Sequence, residues 1–267
     1  GVASGIINAG GSFGQFVFAP IIQKLIQLMG WMGAMWSMAA VTLLAIPLLN
    51  RLTSDTHAPA KAPDPEGGLK KAVSDALHNP SYLLLHLGFF TCGFHIAFLV
   101  THLPTEVGLC GLTPNVASWS LAIIGLANIA GSLYAGSCIN AYRSKYVLAT
   151  MYGSRAVLIA LYLAAPKTEW TFYAFAVGLG FTWLATVPPT AALVGKLFGI
   201  RYLATLFGLT LLSHQVGGFL GAYLGGLVFE ANHDYQWMWW ADIALSAMAA
   251  LVNLPIKEAP IVKVQAV

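Results

Sequence analysis

The chain has 267 residues, of which 58% are hydrophobic and only 9% charged, with a formal net charge of +3 and a mean hydropathy of +0.72. A soluble domain carries about 25% charged residues, so an ordinary water-facing surface is excluded and the chain reads as an integral membrane protein. Its basic residues are not interleaved with aromatics, which speaks against a nucleic-acid partner.

Crossing ~30 Å of hydrocarbon takes about 20 apolar residues in a helix. Eight segments qualify: A (5–28), B (32–50), C (82–106), D (115–139), E (145–165), F (170–195), G (203–229) and H (236–254). Strand-type alternation is absent, which speaks against a barrel; the expected fold class is an all-α membrane bundle. Gly and Pro recur inside the spans, as membrane helices allow when neighbours satisfy the freed backbone. No basic region precedes span A, so no signal peptide is read. Between B and C lies “RLTSDTHAPAKAPDPEGGLKKAVSDALHNP”, residues 51–80, polar, charged and Pro-rich, with a short amphipathic helix predicted near 69–77.

Span A carries Asn8 and Gln15 two turns apart. Span C carries Thr91, His95, Phe98, His102 and Thr105 on one face, because seven residues make two helical turns. A polar stripe facing lipid is costly, so this one is expected to face protein or water. The most polar residue of span D is Asn128. Span E carries Arg155, and span H carries Asp242, the one acid well inside a span; an Arg155–Asp242 structural ion pair is expected, since an intramembrane charge usually finds a partner. Span F reads “GLGFTWLATVPPTAALVG” and should bend at Pro188 and Pro189; Trp183, Thr182 and Thr186 lie beside the bend. Span G offers Ser213, His214 and Gln215, followed by Gly217, Gly221 and Gly225, whose spacing suits close helix contact. Trp170 opens span F, and Trp237, Trp239 and Trp240 open span H, all read as interfacial anchors. Cys92, Cys110 and Cys138 have neither metal-ligand nor disulfide-framework spacing. No cofactor or metal motif and no enzymatic constellation is present: there is no G-x-S-x-G, no H-E-x-x-H and no phosphate-cradling loop.

Alternating spans place Arg51, Lys61, Lys70, Lys71, Arg143, Lys145, Lys196, Arg201, Lys257 and Lys263 on one side, ten of the 13 Lys and Arg residues. Basic loops stay cytoplasmic, which puts the linker and the C-terminus inside, and Glu106, Glu169, Glu230 and Asp234 outside.

At an offset of 203 residues, Gly5 falls on Gly208, Gly14 on Gly217 and Phe16 on Phe219. That offset equals six spans plus the linker. Six spans, a long cytoplasmic linker and six more form a parallel-repeat plan. The chain resembles the major facilitator superfamily on these grounds, most closely its bacterial monocarboxylate- and oxalate-transporter-like members. “AGGSFGQFVFAP” followed by “GWMGA” resembles the fifth helix. “GSLYAGSCINAYRSK” resembles the basic loop between helices eight and nine, and “LFGLTLLSHQVGGFLGAYLGG” the eleventh helix.

The resemblance implies that residues 1–50 are the last two helices of an N-terminal half, 51–80 the linker and 81–267 the C-terminal half. It further implies four more N-terminal helices of the same polypeptide. Helix seven would line a central cavity, so the substrate path would include His95, Phe98, His102, Asn128, Trp183, Thr186, His214 and Gln215, faced by Asn8 and Gln15. Packing histidines bonded to carbonyls are the alternative for His95 and His102. Arg143 and Lys145 would sit at the cytoplasmic gate. The animal monocarboxylate carriers place an Asp and an Arg in helix eight; span D has no charge, so that mechanism does not carry over residue by residue.

The functional expectation is a non-enzymatic secondary transporter in a bacterial inner membrane. It moves a small solute, an organic anion with or without a proton; the expected partners are that substrate, membrane lipid and the remaining helices of the same polypeptide, with no nucleic acid. Efflux of amphipathic compounds past Phe94, Phe98 and Trp183 is one alternative; a non-transporting membrane scaffold or sensor is another.

Overall fold

The structure, a computed structural model, describes residues 2–44, 46–47 and 68–258, without the side chains of residues 2–5 and 8. The described residues form nine helices: α1 (Val2–Leu43), α2 (Gly68–Leu77), α3 (Pro80–Leu109), α4 (Pro114–Ala141), α5 (Ser144–Ala164), α6 (Glu169–Thr182), α7 (Val187–Phe198), α8 (Leu203–Asn232) and α9 (Gln236–Asn253). No strand occurs among them.

Among the described residues, six stretches are long and apolar enough to cross a membrane: Ala9–Leu43, Pro80–Leu109, Pro114–Ala141, Ser144–Ala164, Glu169–Phe198 and Leu203–Asn232. The eight sequence spans map onto these and α9. A and B share α1, which kinks at Gly30 with φ 69°, a left-handed value that glycine adopts without a Cβ penalty. C, D and E are α3, α4 and α5; F is α6 plus α7; G is α8. H is α9, 18 residues long and interrupted in its apolar run by Asp242. The short helix expected near 69–77 is α2, whereas residues 51–67 of the linker, with Arg51 and Lys61, and Lys263 near the chain end lie outside the described residues.

Local chemistry fixes the ends. Asn79 caps α3, its Oδ1 accepting from the Ser81 and Tyr82 N–H groups, with Pro80 in the first turn where no donor is needed. Thr168 caps α6 through the Thr171 N–H, and Gly199 ends α7 with φ 79°.

Span F does more than bend. Pro188 and Pro189 have no N–H for the carbonyls of Leu184 and Ala185, so the helix is interrupted over Trp183–Thr186 and restarts at Val187 with the prolines in its first turn.

In a bilayer, helices associate through packing and hydrogen bonds rather than exclusion from water. The tightest pairs here are α3–α8, α1–α4, α4–α6, α5–α9 and α3–α9. Backbones meet directly at glycines. A Cβ at Gly93 would lie 1.8 Å from the His214 carbonyl oxygen, one at Gly217 2.0 Å from that of Phe90, and one at Gly131 1.8 Å from that of Phe181. Two cores result. One gathers Phe98, Leu103, Tyr162, Phe172, Phe175, Trp183 and Trp239; the other gathers Tyr82, Leu85, Phe89, Leu148, Tyr152, Leu193 and Leu206. Trp239 therefore packs inward, 2% exposed, whereas Trp170, Trp237 and Trp240 face outward as interfacial rings do.

Candidate functional site

The residues that bear chemistry converge on the interruption at Trp183–Thr186. An interrupted helix leaves backbone donors and acceptors that must be met from elsewhere. Arg155 of α5 meets the acceptors, its Nη2 donating to the carbonyls of Thr182 at 2.6 Å and Trp183 at 3.0 Å. Asn128 of α4 meets a donor, its Oδ1 accepting the Leu184 N–H at 2.9 Å. The Asn128 amide also donates to Ser12 Oγ of α1 at 2.6 Å, and Ser132 donates to Asn128 Oδ1 at 3.3 Å. Gln15 extends the α1–α4 seam by donating to the Leu121 carbonyl at 3.0 Å. The seam is tight because Gly125 has no side chain: a Cβ there would lie 2.7 Å from the Ser12 carbonyl oxygen.

The expected Arg155–Asp242 pair is not formed among the described residues. α5 and α9 do pack together, but the Asp242 side chain turns to α3, where its Oδ2 pairs with His95 Nδ1. Both groups are fully buried, and the His95 ring meets Trp183 edge-on at 5.7 Å between centroids. Nδ1 donates to the carboxylate, so in the neutral ring Nε2 holds the lone pair. Neither His95 Nε2 nor Asp242 Oδ1 has a partner among the described residues, and the same holds for Arg155 Nε and Nη1.

The other path candidates divide. His102 has both nitrogens engaged: Nε2 donates to the Ala222 carbonyl at 2.9 Å, and Nδ1 accepts from the Tyr235 hydroxyl at 3.1 Å. Phe98 is buried against Tyr235 and Trp239. Thr186 is buried with its hydroxyl 3.4 Å from Cys92 Sγ. His214 is half-buried against Phe89, and Gln215 is exposed. The Asn8 side chain lies outside the described residues.

Sequence reasoning passed over Ser12 and Tyr152, and took Cys92 only as a cysteine without metal or disulfide spacing. Ser12 lies between Asn8 and Gln15 at helical spacing, a legible signal. Tyr152 is one turn before Arg155, whose guanidinium lies 5.5 Å from its ring centroid. Cys92 is one turn before His95 on the same face, with its thiol 3.8 Å from the Trp183 carbonyl oxygen.

The two ends of the bundle differ in charge. At one, Arg143, Lys145, Lys196 and Lys257 line a cleft of about 500 Å³ with Glu258. The Glu258 carboxylate accepts the Lys145 N–H at 2.7 Å and pairs with Lys196 Nζ at 3.3 Å. At the other, Glu106 accepts the Tyr162 hydroxyl at 2.8 Å, and the Lys167 ammonium lies 3.6 Å from the centre of the same ring. Burial pushes the Lys167 ammonium below its ordinary pKa, with Glu106 pulling the other way.

A family profile described as Major Facilitator Superfamily matches residues 1–113 and 108–266. The chain is 26% identical over 176 residues to the “Uncharacterized MFS-type transporter YcxA” of Bacillus subtilis, covering 64% of this chain and 43% of that protein. It is 26% identical over 265 residues to “Monocarboxylate transporter 13” of Rattus norvegicus, covering 95% of this chain and 59% of that protein. It is 23% identical over 242 residues to “MFS transporter asaE” of Aspergillus flavus, covering 89% and 53%. The chain thus spans about half the length of the curated relatives it matches.

Proposed function

This chain belongs to the Major Facilitator Superfamily, and on that premise we propose that it forms part of a secondary transporter moving a small organic anion, monocarboxylate in type, together with a proton, by alternating access. The observation that carries the reading is the interruption at Trp183–Thr186. At membrane depth a broken helix is tolerated where its backbone is buried in protein or lines a water-filled cavity, and secondary transporters place their binding sites at such breaks. Here the break is flanked by Asn128 and Ser12 across the α1–α4 contact, between the helices assigned by resemblance to the two halves. The anion follows from two considerations. The relatives aligned over most of the chain include one named for monocarboxylate transport, and the buried charge nearest the break is Arg155.

On this reading the substrate path follows the α1–α4 seam and the open face of α8, using Gln15, Asn128, His214 and Gln215. Arg143 and Lys145, with Lys196, Lys257 and Glu258, close its cytoplasmic end. The membrane is a bacterial inner membrane with the basic end inside. The test is uptake by the intact polypeptide in proteoliposomes. An inward proton gradient should drive accumulation of radiolabelled acetate, lactate, pyruvate or oxalate. If none accumulates, and the protein instead confers resistance to amphipathic dyes on cells, the anion reading fails in favour of efflux.

A further inference from the structure

We propose that the His95–Asp242 couple is the proton-binding site of the transport cycle, enclosed in the helix bundle away from the substrate path, and that it takes up one proton per unit of negative charge carried by the substrate. This deepens the transport reading and rests on it.

Enclosure is the first argument. His95 and Asp242 are fully buried by residues of this chain alone, so a solute in the path does not touch them. A proton needs no cavity, only an acceptor. With Nδ1 committed to Asp242, the free lone pair of His95 Nε2 is that acceptor, and Asp242 Oδ1 is a second.

Charge is the second argument. The charged group facing the couple is Arg155 from α5, and Arg155 is faced in turn by Cys92 from α3, Tyr152 from α5 and His214 from α8. α9 contributes Asp242, with the buried Ser246 hydroxyl one turn on, and the interruption contributes the neutral Trp183 ring. Arg155 keeps its charge at any relevant pH. With His95 neutral and Asp242 ionised the node carries +1 and −1 and sums to zero. One added proton makes it +1. A net charge in a low-dielectric interior is costly unless paired, and a monovalent anion across the Trp183 wall pairs it. Electroneutrality of the buried region then sets the coupling ratio.

Connection is the third argument. Arg155 is both the fixed charge beside the couple and the donor that holds the Thr182 and Trp183 carbonyls. Protonation of the couple places a like charge near the guanidinium and weakens that hold. The other side of the same interruption is tied through Leu184 and Asn128 to Ser12 of α1. Proton loading therefore acts on the backbone segment that faces the α1 seam.

Two measurements on the intact polypeptide test this. The first needs no substrate: Trp183 touches His95, and a protonated imidazole quenches indole emission. A pH titration of tryptophan fluorescence should show a step that disappears in Trp183→Phe and in the double variant His95→Gln/Asp242→Asn. The second compares net uptake driven by a proton gradient with exchange between equal carboxylate concentrations at symmetric pH. The double variant and Asp242→Asn alone should lose gradient-driven uptake to the background of protein-free liposomes while retaining exchange, which also reports that they fold. No step, or a step that survives the double variant, overturns the proposal. So does unchanged gradient-driven uptake in a variant that exchanges. If wild-type protein shows the step but moves no carboxylate, the anion reading falls and the proton site stands.

Discussion

Arg155 is the side chain with the most to lose. It is fully buried, donates to two carbonyls released by the helix interruption, and lies against the Tyr152 ring. Hydrogen bonds to charged groups contribute about 1.5–3 kcal/mol each. Arg155→Gln should therefore cost on the order of 3 kcal/mol, read as a lowered melting temperature in detergent. Arg155→Lys should recover part of that loss, because both bonds come from the single nitrogen Nη2 and an ammonium also carries several donors on one nitrogen. Asn128→Ala removes the hydrogen bond from the part-buried Leu184 N–H to its Oδ1, at about 0.5–1.5 kcal/mol, and should impair transport beyond its effect on folded yield, since the Ser12 link goes with it. The sequence identified Arg155, Asp242, Asn128 and His95 as residues of consequence because polar groups in apolar spans are rare. It did not identify their partners: α5 and α9 pack as expected, yet Asp242 faces α3 instead. Which face of a helix meets which neighbour depends on rotation about its axis, and a stripe of mixed small and large residues does not encode that angle.

Glycines set the distances between elements. Gly93, Gly131 and Gly217 sit where a Cβ would enter the opposing backbone, whereas nothing lies near Gly10, Gly208 or Gly226. Alanine at any of the first three should lower folded yield and cost about 1–3 kcal/mol through overpacking. Alanine at the last three should be neutral or raise the melting temperature, having better helix propensity. Thermal-shift comparison of the six variants checks the contrast. The Gly30 kink was readable as a gap between two apolar runs. The interruption in span F was readable only as a bend, and lies before the prolines rather than at them. A proline's missing N–H orphans the carbonyl four residues earlier, so the disruption is displaced upstream. The inward turn of Trp239 left no signal, because three tryptophans within four residues look alike until the helix is rotated into place.

For the whole molecule, the separation of charge between the two ends was the most legible feature. It follows from composition and span length, and neither depends on side-chain detail. The structure gathers Arg143, Lys145, Lys196 and Lys257 at one end and Glu106 with Lys167 at the other. Single cysteines at Glu169 or Asp234, in a background free of native cysteines, should react with an impermeant thiol reagent on intact cells. Cysteines at Arg201 or Lys257 should react only after permeabilisation. Labelling of all four from one side would overturn the topology.

The glycine contacts also bear on how such a body can deform. Where main chains touch, no layer of side chains remains to shear, so α3 with α8, and α4 with α6, are expected to travel as welded units. The backbone around Trp183–Thr186 has already given up its helical register and is held by replaceable side-chain donors. Displacement large enough to change access should concentrate in those four residues, and a spin-label pair spanning them should broaden its distance distribution while pairs within the welded units stay narrow.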